Sequence, residues 1–186
     1  MEAIERMDFA ILDAIQRALR SDLADVLMAG VSFLGGGVLW IAVGIILLFF
    51  WKYRSCGIAV LASSLTALVL TEFIIKLIVL RERPYLANPD VALAVSVPLG
   101  TSFPSSHTGM SFAGAIPLFK GRRLWGIVGL GFAALVAFSR LYLYVHFPSD
   151  VAVGAILGVG IGLGWLFIFN KIGDRRKKPP DSTPSP

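Results

Sequence analysis

Six charged or titratable side chains stand at the ends of apolar stretches in this 186-residue chain. They are Lys76, Arg83, His107, Arg140, His146 and Asp150. Such residues are costly in or beside a membrane, so each is a candidate for function unless a neighbour neutralises it. Clustered cations form an anion site, and the planar guanidinium of arginine matches the oxygens of phosphate. The set therefore predicts a site for a phosphate group.

The two histidines supply nitrogen atoms that can react with a phosphate. A neutral histidine can attack phosphorus as a nucleophile, while a protonated histidine gives a proton to the departing oxygen. Asp150 follows His146 by four residues, so it can hold that imidazole in one tautomer. His107 lies at the predicted start of a helix, where free backbone N–H groups also favour an anion.

The elements that must position these residues are membrane helices. Hydrophobic residues make up 56% of the chain and charged residues only 16%, which is typical of a membrane protein. Five apolar runs approach the roughly 20 residues that a bilayer requires. They cover 23–51, 56–80, 105–119, 124–145 and 151–170. Gly35-Gly36-Gly37 should break the helix of the first run. We predict an all-α fold, a polytopic membrane helix bundle of about five transmembrane helices.

An amphipathic surface helix should precede this bundle. Apolar residues recur at three- and four-residue spacing across 4–19, with Glu5, Asp8, Asp13 and Arg17 elsewhere on the helical wheel. The predicted organisation is therefore an interfacial helix over 1–22, a transmembrane domain over 23–170, and a basic, Pro/Ser-rich cytoplasmic tail over 171–186.

Basic residues set the expected orientation of the bundle. They form clusters at 52–54, 120–123 and 171–178, which lie on one side of a five-span topology. Lysine and arginine in short loops prefer the cytoplasm, so 81–104 and 146–150 should face outward. The net charge of +5 is explained by this topology. No nucleic-acid partner is expected, because the charge does not follow one continuous face.

The candidate residues fall into three blocks with fixed internal spacing. These blocks are Lys76-x6-Arg83-Pro84, then Pro104-Ser105-Ser106-His107, then Ser139-Arg140-x5-His146-x3-Asp150. In order, spacing and ten specified residue types, the chain resembles the type 2 phosphatidic acid phosphatase (PAP2) superfamily. Within it, the chain resembles the bacterial membrane lipid phosphatases, such as undecaprenyl-diphosphatase and phosphatidylglycerophosphatase B.

The resemblance implies a role for each residue of the blocks. His146 would be the nucleophile that forms a phosphohistidine, Asp150 its orienting partner, and His107 the general acid. The residues expected to hold the phosphate are Lys76, Arg83, Ser105, Ser106 and Arg140. No metal or other cofactor is expected. The second block departs from the family's common Pro-Ser-Gly-His, because Ser106 replaces the glycine. The turn must then use an ordinary backbone conformation.

The resemblance also implies an activity. The chain should hydrolyse a phosphomonoester or diphosphate of a lipid at the outer leaflet of the inner (plasma) membrane, with the site facing the periplasm or cell exterior. Undecaprenyl diphosphate is the leading substrate, with phosphatidylglycerophosphate or phosphatidate as the alternative and phosphotransfer between lipids also open. A non-catalytic lipid-binding or transport protein is the alternative from another class. Two histidines beside Asp150 count against it, since burying them is costly.

Several other residues receive simpler interpretations. Glu72 and Lys76 are spaced as an i,i+4 salt bridge, whereas Arg81 and Glu82 are read as solvated interfacial residues outside the site. Two stripes of glycines in the last span favour tight packing within the chain. They are Gly154, Gly158 and Gly162, and then Gly160 and Gly164. An interfacial aromatic belt is predicted from Tyr85, Tyr142 and Tyr144.

Overall fold

Regular structure in the computed structural model, which describes residues 2–177, is entirely helical. The α-helices are α1 Glu2–Leu19, α2 Asp22–Phe33, α3 Leu39–Phe49, α4 Arg54–Leu70, α5 Lys76–Ile78, α6 Pro84–Ala87, α7 Ser106–Ala115, α8 Arg123–Tyr142 and α9 Pro148–Lys177. Single π turns join α2 to α3 and α4 to α5, at Leu34–Val38 and Thr71–Ile75. Of the predicted tail, 171–177 continues α9, and 178–186 lies outside the described residues.

Four helices within the described range are long and apolar enough to cross a bilayer. They are Asp22–Phe49, Trp51–Ile78, Arg123–Tyr142 and Pro148–Ile172. The shorter α7, extended by a 3₁₀ turn over Ile116–Lys120, packs among α4, α8 and α9 and forms a fifth, largely buried helix. The predictions of an all-α fold and of about five membrane helices are confirmed.

Residues suited to helix starts stand where these elements begin. The Ser21 side chain accepts a hydrogen bond of 3.3 Å from the Ala24 N–H and caps α2. Pro84 and Pro148 are the first residues of α6 and α9, where proline gives up no hydrogen bond that the helix needs. The turn between α8 and α9 covers only 143–147, and it carries His146.

The three glycines of the first span kink its helix without ending it. Leu34–Val38 forms the π turn, and Gly37 has a φ of 108°, which glycine adopts without steric cost. Gly36 is exposed, whereas Gly35 and Gly37 are buried. Instead of the predicted break, the helix changes direction here, and the backbone at Gly36 is exposed.

Only one of the two predicted glycine stripes is a packing surface. A Cβ at Gly154 would lie 2.6 Å from the Ser105 carbonyl oxygen, and a Cβ at Gly158 would collide with the Gly109 carbonyl oxygen. By contrast, Gly160 and Gly164 have no atom within 4 Å of an added Cβ. The first stripe therefore lets the backbone of α9 rest on α7, as predicted, and the expectation for the second stripe is wrong.

Helix α1 lies across one end of the bundle as an amphipathic helix, and it is more deeply docked than its pattern suggests. Ile4 and Met7 are exposed, whereas Leu12 and Asp8 are completely buried. Gln16 Nε2 donates to the Tyr142 carbonyl over 2.5 Å. The placement of Asp8 on the solvated face of the helix was wrong, because this carboxylate faces the protein.

The tyrosines predicted to form an aromatic belt belong to the protein interior instead. Tyr142 and Tyr144 are at most 3% exposed. Their hydroxyl groups donate to Asp25 Oδ1 over 2.7 Å and to Asp13 Oδ1 over 2.8 Å. The hydroxyl of the half-buried Tyr85 donates to a backbone carbonyl over 2.8 Å. These rings hold α1, α2 and the α6 region to the bundle, so the belt prediction was wrong.

Basic residues meet at the end of the bundle opposite to α1. Lys120 Nζ donates to the Asn170 side chain over 2.9 Å, and the rings of Tyr53 and Trp125 stack edge to face at 4.8 Å. The basic clusters at 52–54, 120–123 and Lys171 are thereby brought to one end of the helices. The three sequence blocks lie at the other end.

The contact between α9 and α7 should tolerate no added methyl group. We expect Gly158→Ala to lower the free energy of unfolding by about 1–3 kcal/mol, the usual range for overpacking, because its Cβ meets a backbone carbonyl. Gly160→Ala is the matched control on the same helix and should not destabilise, since its Cβ meets open space. Unfolding of the purified protein in mild detergent measures both. Equal effects of the two substitutions would contradict this packing.

Candidate active site

All three sequence blocks meet at the end of the bundle that α1 covers. Arg83 Nη1 lies 3.3 Å from His146 Nε2, and the Ser105 N–H donates to the Asp150 carbonyl over 3.1 Å. The side chains of Lys76 and Arg140 lie within electrostatic range of Arg83, and His107 lies within that range of all these groups. The fold therefore brings together residues that are far apart in sequence around one small volume.

The geometry of His146 fixes its tautomer. Arginine can only donate hydrogen bonds, so the Nε2 atom facing Arg83 must carry the lone pair and Nδ1 must carry the proton. The ring is 1% exposed. Burial, together with the charges of Arg140 and Arg83, holds the pKa of His146 well below its usual value. The imidazole is therefore neutral, and its Nε2 lies beside a guanidinium that can hold a phosphate oxygen next to it.

Asp150 stands behind His146 with both carboxylate oxygens in use. Its Oδ2 lies 3.6 Å from His146 Nδ1 and accepts the Phe147 N–H over 2.9 Å. Its Oδ1 accepts from Arg81 over 2.6 Å. At 3.6 Å the contact with His146 is longer than a hydrogen bond. The carboxylate is therefore placed to face an imidazole that becomes cationic, and its predicted orienting role remains a prediction.

Arg81 was missed from the sequence, where it was read as a solvated interfacial residue. Its guanidinium bridges Asp150 and Asp8 and lies 4.0 Å from the centroid of the Phe147 ring. That interpretation was wrong for Arg81, although Glu82 is exposed as expected. One signal could have exposed the error: Asp8 lies one helical turn before Leu12 and so belongs to the buried stripe of α1.

Each predicted cation has a protein partner that fixes it. Arg83 donates to the carbonyl groups of Gly100, Val145 and Leu99 over 3.0–3.3 Å. The predicted salt bridge between Lys76 and Glu72 is present at 2.6 Å. Leu99 is carried on the connection between α6 and α7, and its side chain is 92% exposed. The lysine and this arginine are thus held in place by the fold itself.

Arg140 keeps a donor that is open to an anion. Its Nη1 donates to the Ser32 hydroxyl of α2, and its Nε–H has no partner among the described protein atoms. A buried donor of this kind is costly unless an acceptor binds to it. Within residues 2–177, no group of three or more His, Cys, Asp or Glu stands close enough to hold a metal ion. The chemistry of the donors suits phosphate oxygens.

The two serines at the start of α7 differ in what they can offer. The Ser105 N–H binds Asp150 and its hydroxyl accepts from Thr108 over 3.0 Å, so both groups maintain the fold. The Ser106 hydroxyl is buried and has no partner among the described protein atoms. Ser106 also avoids positive φ, as expected, since Tyr144 is the one non-glycine residue in the described range that adopts it. Of the two serines, Ser106 is thus the one whose hydroxyl remains available to bind an anion.

His107 faces the kink of the first span. A Cβ at Gly36 would lie 3.0 Å from His107 Nε2, so this nitrogen approaches the exposed backbone of the π turn. His107 itself is only half-buried. The second histidine therefore stands at the open side of the site, and Gly36 is a further site residue that the sequence interpretation did not identify.

Comparison with known proteins agrees with this geometry. The PAP2 superfamily model matches residues 57–174, which include all three blocks. The chain belongs to the PAP2 superfamily. The resemblance inferred from the blocks is thereby confirmed.

The names of similar proteins in the family refer to different lipid substrates. An undecaprenyl-diphosphatase of Sulfolobus acidocaldarius is 37% identical over 134 residues, which cover 71% of this chain and 64% of that protein. A lipid A 4′-phosphatase of Bacteroides thetaiotaomicron is 36% identical over 132 residues, 65% of this chain and 56% of that protein. This chain therefore spans less than two thirds of the length of either relative.

The fold is also that of a solved membrane phosphatase. The crystal structure of a transmembrane PAP2-type phosphatidylglycerolphosphate phosphatase from Bacillus subtilis matches with a TM-score of 0.75 at 26% identity. The match covers 96% of this chain and 90% of that one. Together with the apolar helices, this likeness makes the chain a multi-pass membrane protein.

Gly36 should be sensitive to a single methyl group. In Gly36→Ala the new Cβ pushes against His107 Nε2, so we expect turnover of a lipid phosphate to fall on the order of tenfold. The loss should be smaller with p-nitrophenyl phosphate, whose leaving group needs no protonation. Gly30→Ala, on α2 with no atom within 4 Å of its Cβ, is the control. A loss that is independent of the leaving group would show that Gly36 does not act through His107.

Proposed function

We propose that the chain is a lipid phosphatase that hydrolyses a lipid phosphomonoester or diphosphate through a phosphohistidine on His146. The observation that carries this proposal is the neutral, buried His146, whose Nε2 lies 3.3 Å from Arg83 Nη1. A neutral imidazole keeps the lone pair that a nucleophile needs, and the surrounding cations attract the phosphate group that it would attack.

In the first step, His146 Nε2 forms a bond to phosphorus as the bond from phosphorus to the lipid oxygen breaks. The negative charge of the bound phosphate offsets the nearby cations and allows His107 to carry a proton, which passes to that oxygen. A phosphomonoester then releases a lipid alcohol, and a diphosphate releases a lipid monophosphate. Positive charge develops on the His146 ring and is stabilised by Asp150 behind Nδ1. Arg83, Arg140 and the Ser106 hydroxyl stabilise the oxygens of the transferring phosphoryl group.

In the second step, water attacks phosphorus from the face that the leaving group has vacated, opposite to the N–P bond. The now neutral His107 accepts a proton from that water, the N–P bond breaks, and inorganic phosphate leaves. His146 returns to its neutral tautomer and His107 to its protonated form. His107 thus regains the proton that it gave away, His146 regains its lone pair, and the cycle needs no co-reactant other than water.

Undecaprenyl diphosphate is the substrate that the observations favour. The relative from Sulfolobus acidocaldarius carries that activity in its name. The connection at 88–105 is short, so it offers little material to read an elaborate headgroup, and recognition should rest on the terminal phosphate. Phosphatidylglycerophosphate is the second candidate, because the chain shares its fold with a phosphatase of that name.

The site should face the periplasm or cell exterior, across the inner (plasma) membrane from the basic clusters. This orientation is supported by the basic residues at the opposite end of the bundle, since lysine and arginine favour the cytoplasmic side. The substrate is then a lipid phosphate that has already reached the outer leaflet.

The nucleophile can be tested by trapping the intermediate. With a labelled phosphomonoester, the wild type should form an acid-labile phosphohistidine at His146, and His146→Ala should lose both label and turnover. His107→Ala should still be labelled by p-nitrophenyl phosphate, while its turnover of an alkyl phosphate falls about 10²- to 10⁴-fold, the usual worth of general acid catalysis. Label recovered from a serine, or label retained by His146→Ala, would refute the mechanism.

Substrate and sidedness can be tested together. Undecaprenyl diphosphate, phosphatidylglycerophosphate and phosphatidate are compared at equal surface concentration, and we expect the first to be hydrolysed at least as fast as the others. A preference for phosphatidylglycerophosphate of about tenfold or more, about 1.4 kcal/mol in transition-state terms, would contradict the polyprenyl assignment.

For sidedness, the exposed Asp90 is changed to cysteine in a Cys56→Ala background, since Cys56 is the one natural cysteine. A membrane-impermeant maleimide should label this variant in intact cells. Labelling that requires membrane rupture would reverse the proposed orientation.

A further inference from the structure

One guanidinium joins two buried carboxylates next to the proposed nucleophile. Arg81 Nη1 lies 2.6 Å from Asp150 Oδ1, and its Nη2 lies 2.8 Å from Asp8 Oδ2. Both carboxylate side chains are at most 1% exposed. Because the nitrogens of arginine form a rigid planar fork, fixing one of these contacts constrains the other. The position of Asp150 is therefore tied to that of Asp8.

Asp8 is itself held firmly against the start of α9. Its Oδ1 accepts the Ser149 N–H over 3.0 Å, and its Oδ2 accepts the Ser149 hydroxyl over 2.5 Å. A carboxylate at this position also interacts favourably with the positive end of the helix dipole. Asp8 thus binds Ser149, the residue before Asp150, directly. It is also linked to Asp150 itself through Arg81.

We propose that Asp8 and Arg81 are positioning residues, through which α1 holds the Asp150 carboxylate behind His146. The inference rests on the proposed function, since it takes His146 as the nucleophile. Arg81 occupies Oδ1 of Asp150, which leaves Oδ2 turned toward His146 Nδ1. Asp8 and Arg81 keep Asp150 where it can stabilise the imidazolium that forms on His146 in the first step.

A second ion pair near the end of α1 offers a matched control. Arg20 Nη2 lies 3.7 Å from Asp25 Oδ2 and donates to the Ala92 carbonyl over 2.5 Å. This pair also ties the end of α1 to the bundle, and among the described residues no hydrogen bond or salt bridge joins it to Asp150 or His146. Removing it should weaken the docking of α1 without turning the Asp150 carboxylate.

The test is a double-mutant cycle in kcat and KM, measured on the full chain in detergent with p-nitrophenyl phosphate. Asp8→Asn and Arg81→Gln should each lower kcat on the order of 10- to 100-fold, as a misplaced catalytic group does, with little change in KM. The loss in the double variant should be well below the product of the two single losses, because both substitutions break the same path from Asp8 through Arg81 to Asp150. Arg81→Lys should recover part of the loss. Arg20→Gln and Asp25→Asn should lower thermal stability and keep the wild-type kcat.

The outcomes separate this inference from the proposed function. If Asp8→Asn and Arg81→Gln lower thermal stability as the control pair does and leave kcat unchanged, the two residues only hold α1 in place, and the inference is overturned. If their effects on kcat multiply in the double variant, they do not act through one linkage, and it is overturned as well. A wild type that forms no phosphohistidine would instead overturn the proposed function on which the inference rests.

Discussion

Mutual repulsion among three cations is the constraint around which the α1 end of the bundle is built. Lys76, Arg83 and Arg140 lie within electrostatic range of one another, and each is at least nine-tenths buried. Such an arrangement is costly unless polar groups surround it. Glu72 offsets the lysine, backbone carbonyls surround Arg83, and Ser32 binds Arg140. The remaining excess of positive charge is what a phosphate dianion can neutralise.

The irregular parts of the helices serve this same end. One π turn carries Glu72 just before Lys76, and the other follows Ser32 and exposes Gly36 beside His107. π turns often mark functional sites, because the extra residue redirects side chains without ending the helix. Tyr144 adds a third irregularity, a φ of 58° in the turn that carries His146. Deviations from regular geometry therefore coincide with the groups that would bind and transfer phosphate.

The sequence predicted the blocks well because their spacing is local. Lys76 and Arg83, or His146 and Asp150, are separated by less than two helical turns, so composition and spacing define their relation. Arg81 with Asp8 and His107 with Gly36 are about 70 residues apart, and no local pattern joins them. Periodicity also does not tell a face toward lipid from a face toward protein. For that reason Asp8, Tyr142 and Tyr144 were assigned to the wrong surroundings, although the helices that carry them were predicted.

The side chain of Leu99 is almost fully exposed, while its carbonyl group binds the buried Arg83. An apolar side chain is more stable in hydrocarbon than in water. Because the same loop carries the carbonyl that binds Arg83, the medium that covers Leu99 bears on how firmly that guanidinium is held. We therefore expect an exchange of bilayer for detergent to reach the anion site by this route.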